Sequence, residues 1–164
     1  MYRFLAISVA IALFFSACSI KDQAIEASQP VKVIIKTPSV KLSGIGFYKT
    51  GYKYANLQLF SAGVVVLDYK SAGTVCINDK CMTRGIFNEK FFLKPHYNGL
   101  IDDILAQRPI YKSENLTQTP DGFSQYIAKD GEFAISYEMK GLDSKFDDSL
   151  NQITIQITKI GKEQ

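Results

Sequence analysis

The stretch QITIQITKI, residues 152–160, alternates apolar and polar side chains through residue 158. Ile153, Ile155 and Ile157 fall on one side of this alternation, and threonine or glutamine residues fall on the other. Successive side chains of a β-strand point to opposite faces of a sheet. The pattern therefore predicts a strand with one buried face and one face in water.

Two more strands are predicted before this stretch, over residues 122–128 and 132–139. The second has its own alternating apolar stripe, formed by Phe133, Ile135, Tyr137 and Met139. Asp130-Gly131 stands between the two runs, and Asp-Gly favours the tight turn of a β-hairpin. Residues 141–150 are predicted to be the loop that leads into the last strand.

The first half of the chain also contains short β-type runs separated by turn residues. They are expected over residues 31–36, 40–48, 53–60 and 64–69. Regularly spaced short strands are typical of an antiparallel sheet or barrel, which predicts a mainly β (α+β) protein. Tyr54 and Phe60 alternate with Leu57 and Leu59, so both faces of this sheet carry apolar groups that a helix, a partner or a ligand would cover.

One helix is predicted between Asn98, as the N-cap residue, and Pro109, which ends it. Its apolar stripe consists of Leu100, Ile101, Ile104 and Leu105. Asp102 and Asp103 are adjacent, so their side chains diverge by about 100° around the helix. Negative charge in the first turn suits the helix dipole, and we interpret the pair as stabilising the helix start rather than as catalytic.

Cys76 and Cys81 flank Asn78-Asp79, a turn sequence, and a hairpin there would bring the two cysteines close enough for a disulfide. A metal pair, a redox pair and two free thiols are the alternatives. A zinc site would need two more ligands, and the chain offers only His96 and Cys18. Redox motifs normally have two intervening residues, so a structural disulfide is the preferred prediction.

The amino terminus has the features of a secretory signal. One arginine precedes an apolar run over residues 4–15, which is shorter than the roughly 20 residues that span a bilayer. Residues 14–18, FFSAC, resemble the lipobox of bacterial lipoproteins. That resemblance implies cleavage after residues 1–17 and lipidation of Cys18, whereas the alternative is an ordinary cleavage site near a small residue.

The lipobox resemblance also sets the expected domain organisation and location. Residues 18–38 would be the lipidated start and a tether, and residues 39–164 a single β-rich domain. Ser19 follows the cysteine, and this is compatible with export to the outer membrane, facing the periplasm or exposed on the surface. The oxidising compartment would favour the disulfide.

Composition limits the classes of partner. Removal of residues 1–17 from the 164-residue chain leaves 147 residues, which is the size of one domain. The whole chain has 19 basic and 16 acidic residues, and the near balance argues against nucleic acid as a partner. No second apolar run is long enough to span a membrane, so contact with a membrane is expected through the lipid alone.

Nothing in the sequence marks a catalytic centre, a metal site or a cofactor site. His96 is the single histidine and follows Lys94-Pro95 in a predicted loop, where it is most often a surface or packing residue. The sequence contains neither a Gly-x-Ser-x-Gly elbow nor a phosphate-binding glycine loop. We therefore predict a binding protein rather than an enzyme.

Three stretches resemble LolB, the outer-membrane lipoprotein that receives lipoproteins from the periplasmic carrier LolA. They are VKLSGIGFY (residues 40–48), NLQLFSAGVVVL (residues 56–67) and LIDDILAQRPI (residues 100–110). Gln107-Arg108-Pro109 stands at the family's Gly-Arg-Pro. The protruding-turn leucine of the family falls at about Ala62, with Phe60 the nearest bulky residue.

The resemblance implies an antiparallel sheet that curls into an incomplete barrel around one or more helices, with an apolar cavity for acyl chains. The expected ligand-binding residues are Leu57, Leu59, Phe60, Ala62, Val65, Leu100 and Ile104. Lipoproteins and a LolA-like carrier would be the partners. The alternative is a structural or interaction lipoprotein of the envelope that has a filled core and no ligand cavity.

Overall fold

The computed structural model describes residues 25–161. The predicted signal peptide, residues 1–17, and the predicted lipidation site, Cys18, lie outside this range.

Eleven antiparallel strands form one sheet in the described part of the chain, which confirms the mainly β prediction. Their order is β6-β5-β4-β3-β2-β1-β11-β10-β9-β8-β7, and the edge strands β6 and β7 do not pair with each other, so the sheet is not closed. The strands are β1 (Ile25–Lys36), β2 (Lys41–Gly51), β3 (Tyr54–Ser61), β4 (Val64–Ala72), β5 (Thr74–Ile77), β6 (Lys80–Met82), β7 (Leu116–Thr119), β8 (Gly122–Lys129), β9 (Phe133–Lys140), β10 (Asp143–Asp148) and β11 (Ile153–Lys159).

Strand β1 contains the predicted strand over residues 31–36, but it begins at Ile25 and therefore corrects the predicted tether over residues 18–38. It pairs with both β2 and β11, and Val33 lies opposite Gly44 on one side and Ile157 on the other. Val31 and Val33 are each 1% exposed. The polar composition at the start of this segment suggested a tether, but its alternate residues form the middle of the inner face.

Strand β10 corrects the predicted loop over residues 141–150. The sequence DSKFDD is polar, yet it has the period of a strand and buries alternate residues, including Phe146. Asp148 is also buried, and its Oδ1 accepts a hydrogen bond from the backbone N–H of Ala134 at 3.1 Å. A polar residue therefore occupies an inward position because it caps the β9 backbone.

Two short helices cross the inner face, which we define as the face that carries the buried side chains. Helix α1 (Arg84–Phe91) was not predicted, and α2 (Leu100–Leu105) is the predicted helix. The sequence predicts Asn98 as the N-cap of α2, but the N-cap in the structure is Gly99. The backbone carbonyl of Asn98 instead accepts a hydrogen bond from the Arg84 side chain.

The sheet curls around these helices. Strands β4 and β10 are five spacings apart in the sheet order, which would separate them by about 24 Å if the sheet were flat. A chain of aromatic rings connects their inner faces, from Tyr69 to Phe87, Phe92 and Phe146, with centroid distances of 6.1, 6.3 and 5.9 Å. The two halves of the sheet therefore face a common core.

The β5–β6 hairpin confirms the predicted disulfide. Cys76 and Cys81 are opposite each other in the register, and a disulfide joins them. Asn78 and Asp79, between them, have φ values of 45° and 68°. Two successive residues with positive φ form the tight turn that suits a hairpin, and asparagine and aspartate tolerate this conformation well.

Candidate binding site

An apolar cleft of about 150 Å³ lies between the inner face of the sheet and the two helices. Its exposed lining is wholly apolar. Strands β1 to β5, the β1–β2 turn and both helices contribute to it. The lining residues are Ile35, Val40, Leu42, Leu57, Leu67, Tyr69, Ile77, Phe87, Phe91, Ile101 and Leu105.

The strand register explains one wall of the apolar cleft. Leu57 on β3 lies opposite Tyr69 on β4, and Tyr69 lies opposite Ile77 on β5. Residues that are directly opposite in an antiparallel sheet share a face, so this row forms a continuous apolar wall.

The helices supply the other wall. Phe87 and Phe91 are four residues apart on α1, and their rings stack at 5.2 Å. Ile101 and Leu105 have the same spacing on α2. Side chains four residues apart lie on the same side of a helix, so each helix presents a pair to the cleft.

The apolar cleft opens to solvent at one end. Val40 is 47% exposed, while Leu57 and Tyr69 at the other end are 1% and 2% exposed. Leu42 and Phe91 are half-buried. The cleft therefore has an accessible mouth and a buried floor.

The predicted ligand-binding residues are not brought together here. Leu57 lines the apolar cleft, whereas Leu59, Leu100 and Ile104 are almost fully buried in the core beside it. The remaining three do not line it.

Phe60 and Val65 form a cross-strand pair on the outer face of the sheet, next to Ile45, which is 57% exposed. Ala62 is exposed in the β3–β4 turn with φ 49°. The alternation of β3 explains the difference, because Leu57 and Phe60 are an odd number of residues apart and point to opposite faces.

A second cleft, which is polar and has a volume of about 400 Å³, lies beside the first. It is formed by the ends of β2 to β4, the β2–β3 turn and the two helices. Its lining residues are Tyr48, Thr50, Gly51, Lys53, Tyr54, Ala55, Ser71, Gly73, Arg84, Asp102 and Arg108.

Asp102 lies at the boundary between the two clefts and accepts three side-chain hydrogen bonds. The hydroxyls of Tyr69 and Ser71 donate to its oxygens at 2.7 and 3.1 Å. Arg84 forms an ion pair with it at 2.5 Å and also donates to the Ser71 hydroxyl at 2.6 Å. Asp102 thus connects α2 to β4 and α1, a role that its position in the first helical turn did not reveal.

The tyrosines around this network remain protonated. Burial and the negative charge of Asp102 raise the pKa of Tyr69 far above its usual value, so its hydroxyl serves as a donor to Asp102. Burial raises the pKa of Tyr48 in the same way, and Asp102 adds to the effect.

Arg108 extends the network outward. Its Nε and Nη2 atoms donate to Asp103 Oδ1 at 3.0 and 2.7 Å, and the Tyr97 hydroxyl donates to the other oxygen of Asp103. The Arg108 side chain is 60% exposed. Asp102 and Asp103 therefore pair with different cations and do not face each other as catalytic carboxylates would.

His96 lines neither of the two clefts. Its Nδ1 atom is 2.5 Å from the Tyr111 hydroxyl, and its buried Nε2 has no hydrogen-bond partner within residues 25–161. Burial lowers its pKa, against the opposing effects of Asp148 and Glu132. The ring packs at 5.2 Å from that of Phe92, as expected for a packing histidine.

Residues 25–161 contain no group of three or more His, Cys, Asp or Glu side chains placed to hold a metal ion. None of the helices in that range has both the length and the apolar character needed to cross a membrane. No protein-family model and no curated protein matches the chain.

Proposed function

We propose that this protein is a lipid-anchored, non-enzymatic envelope protein that binds an acyl chain in the apolar cleft. The apolar lining of that cleft, with an accessible mouth and a buried floor, is the observation that carries the proposal. Burial of each CH₂ group contributes about 0.8 kcal/mol, so such a cleft favours a flexible hydrocarbon chain over a polar ligand.

Within this proposal, the LolB-like acceptor is the specific function that the lipobox and the curled sheet support. Cys18 would carry the anchor in the outer membrane, and a periplasmic LolA-like carrier would deliver an acylated protein. Residues 25–161 form a sheet that curls around two helices, which is the arrangement expected for such an acceptor. The volume of about 150 Å³ is below the usual range for ligand pockets, about 300 to 1,000 Å³, so the cleft would take part of one chain at a time.

A structural or interaction lipoprotein without a ligand is the second candidate. The observation that favours it is the filled inner face, where residues from both halves of the sheet and both helices belong to a single buried cluster. The two candidates differ in whether the apolar cleft accepts a chain from solution.

The test uses the full chain with Cys18→Ser, which removes the acceptor sulfur so that the protein can be purified without detergent. Binding of cis-parinaric acid, whose fluorescence rises in apolar surroundings, is titrated. Val40→Asp introduces a charge at the mouth of the cleft, and we expect it to weaken binding at least tenfold.

Val64→Asp is the matched control, because Val64 is 65% exposed and lies outside the cleft. It should bind the probe as the parent does. A parent protein that does not bind the probe would favour the structural candidate. Equal binding by the two variants would place the site elsewhere.

A further inference from the structure

A groove of about 290 Å³ lies at the open edge of the sheet, between β6 and α1. β6 is the last strand in the sheet order and pairs with β5 alone. The exposed lining of the groove is almost entirely apolar, and it shares three side chains with the apolar cleft. The lining residues are Ile77, Lys80, Met82, Phe87, Lys90 and Phe91.

The edge of β6 offers backbone groups to a further strand. Ile77 and Lys80 flank the two-residue turn Asn78-Asp79, and residues that flank such a turn exchange both backbone hydrogen bonds. The next residue, Cys81, therefore directs its N–H and C=O groups away from β5. Within residues 25–161, no turn or loop backbone group bonds to them.

The side chains of an added strand would alternate between the two faces of the sheet. Met82 lies opposite Val75, which is fully buried, so Met82 and Lys80 are on the inner face, where the groove is. A partner residue that pairs with Cys81 would point to the outer face, as Cys81 does. Its two neighbours would point inward, so the groove meets two side chains that are two residues apart.

The charges at the groove are both positive. Lys80 and Lys90 are exposed, and in the described part of the chain neither forms a salt bridge. Lysine stems lie along apolar surface while their ammonium groups stay in water, so the two lysines place positive charge at the rim of an apolar groove. This arrangement complements a segment in which apolar and acidic residues are neighbours on one face.

We infer that the β6 edge binds an extended segment of a partner protein, which adds a strand to the sheet. The inward side chains of that segment are apolar beside Met82 and Phe87, and acidic beside the two lysines. Strand addition takes affinity from main-chain hydrogen bonds and specificity from pockets for alternate side chains. Cys81 supplies one pair of backbone hydrogen bonds, so the groove and the lysines provide most of the selectivity. The inference does not depend on the binding of an acyl chain.

The experiment measures the binding of fluorescein-labelled peptides to the full chain with Cys18→Ser by fluorescence anisotropy. In the peptide ETVTVTE, one face of the strand carries two valines between two glutamates, and the other carries threonines. We expect it to bind at least fivefold more tightly than KTVTVTK, because one exposed ion pair contributes up to about fivefold. Proline in place of the central threonine removes an N–H donor to Cys81 and should weaken binding about fivefold.

Charge reversal tests the assignment to this edge. The double variant Lys80→Glu, Lys90→Glu changes two exposed side chains, so it is compatible with folding, and it should bind KTVTVTK more tightly than ETVTVTE. The double variant Lys140→Glu, Lys145→Glu is the matched control. It makes the same change of net charge on β9 and β10, outside the groove, and should keep the preference for ETVTVTE.

Several outcomes would overturn the inference. Equal binding of the three peptides would show that neither charge nor backbone pairing matters, and absence of binding would identify β6 as an edge closed to further strands. Reversed preference in both double variants would show a long-range charge effect. A dimer of the parent in sedimentation that Met82→Asp dissociates would assign the edge to a second copy. The titration with cis-parinaric acid tests the proposed function separately.

Discussion

Gln107 shows how one residue combines backbone strain with a structural contact. It follows the end of α2 with φ 56°, a conformation that favours glycine, and the LolB resemblance places it at a glycine position. Its side-chain amide donates to the backbone carbonyls of Leu142 and Ile157 at 3.0 and 3.1 Å. These hydrogen bonds, to β11 and to the residue before β10, offset the free-energy cost of the left-handed backbone conformation. A glycine at this position would not have that cost, but it would have no side chain to form the two hydrogen bonds.

A single residue, His96, also predicts how the stability of the protein depends on pH. Burial lowers its pKa in the folded protein below 6.5, its usual value, so the unfolded chain binds the proton more readily. Above about pH 6.5 the imidazole is neutral in both states and the full stability is present. As the pH falls below that value, the unfolded state takes up a proton first, and the free energy of unfolding should decrease by up to about 1 kcal/mol per pH unit.

Urea denaturation between about pH 7.5 and pH 5.5 measures this slope, which lies above the titration of ordinary carboxylates. His96→Asn is the comparison, because asparagine keeps a polar group near the Tyr111 hydroxyl and does not titrate. The slope should be smaller in the variant. Equal slopes in the two proteins would contradict the assignment to His96, which is the single histidine of the chain.

At the scale of elements, α1 is the clearest failure of sequence-based prediction. The segment RGIFNEKF contains a glycine and aromatic residues and has few strong helix formers. Its N-cap is Thr83, whose hydroxyl accepts a hydrogen bond from the Ile86 backbone N–H at 3.4 Å. The packing of Phe87 against Tyr69 and Phe92 selects the helix, and that contact exists only after the sheet has formed.

The β5–β6 hairpin is the element whose covalent constraint was predictable. Closing the short loop between Cys76 and Cys81 should contribute about 2 kcal/mol to stability in the chain-entropy picture. The double variant Cys76→Ser, Cys81→Ser should therefore be less stable by about that amount. The destabilisation should be confined to the β5–β6 hairpin. The reason is that β6 has three residues and lies at the edge of the sheet, where it pairs with β5 alone.

Hydrogen exchange locates the effect of the disulfide. The amides of β5 and β6 should exchange faster in the double variant, while those of β11 should not change. Reductant added to the parent should reproduce the variant. Faster exchange throughout the sheet would contradict a local role for the disulfide.

At the scale of the whole molecule, β1 joins the two halves of the sheet. It is the one strand that pairs with both β2 and β11, so the N-terminal and C-terminal halves are hydrogen-bonded to each other through it. Its inward residues belong to the single buried cluster that also contains the helices. The fold therefore depends on a strand of which only residues 31–36 were predicted, whereas residues 25–30 had been assigned to the tether.

Val33→Ala tests this dependence. Val33 is 1% exposed, and the loss of its methyl groups should lower the free energy of unfolding by about 2 kcal/mol. Since β1 connects both halves, we expect a single transition that moves to lower urea concentration as a unit. Val64→Ala, at an exposed position, should stay within about 0.5 kcal/mol of the parent. Separate transitions for the two halves would contradict the central role of β1.

Much of the sheet was predictable because its information is local. The alternation in residues 152–158, the Asp130-Gly131 turn and the pattern of β2 each specify a strand or hairpin within a few residues. β10 was missed since its inward positions include Ser144 and Asp148, whose burial depends on contacts with other parts of the fold.

The features of the candidate site can likewise be separated into those that local sequence predicts and those that depend on the tertiary structure. The sequence by itself determined the antiparallel β character, the cysteine pair and the apolar stripe of α2, because strand period, turn chemistry and helix period act over short distances. Only the tertiary structure decided which face of β3 meets the helices, that Arg84 pairs with Asp102, and that a polar cleft adjoins an apolar one. Those features join residues far apart in the chain, and the curl of the sheet brings them together.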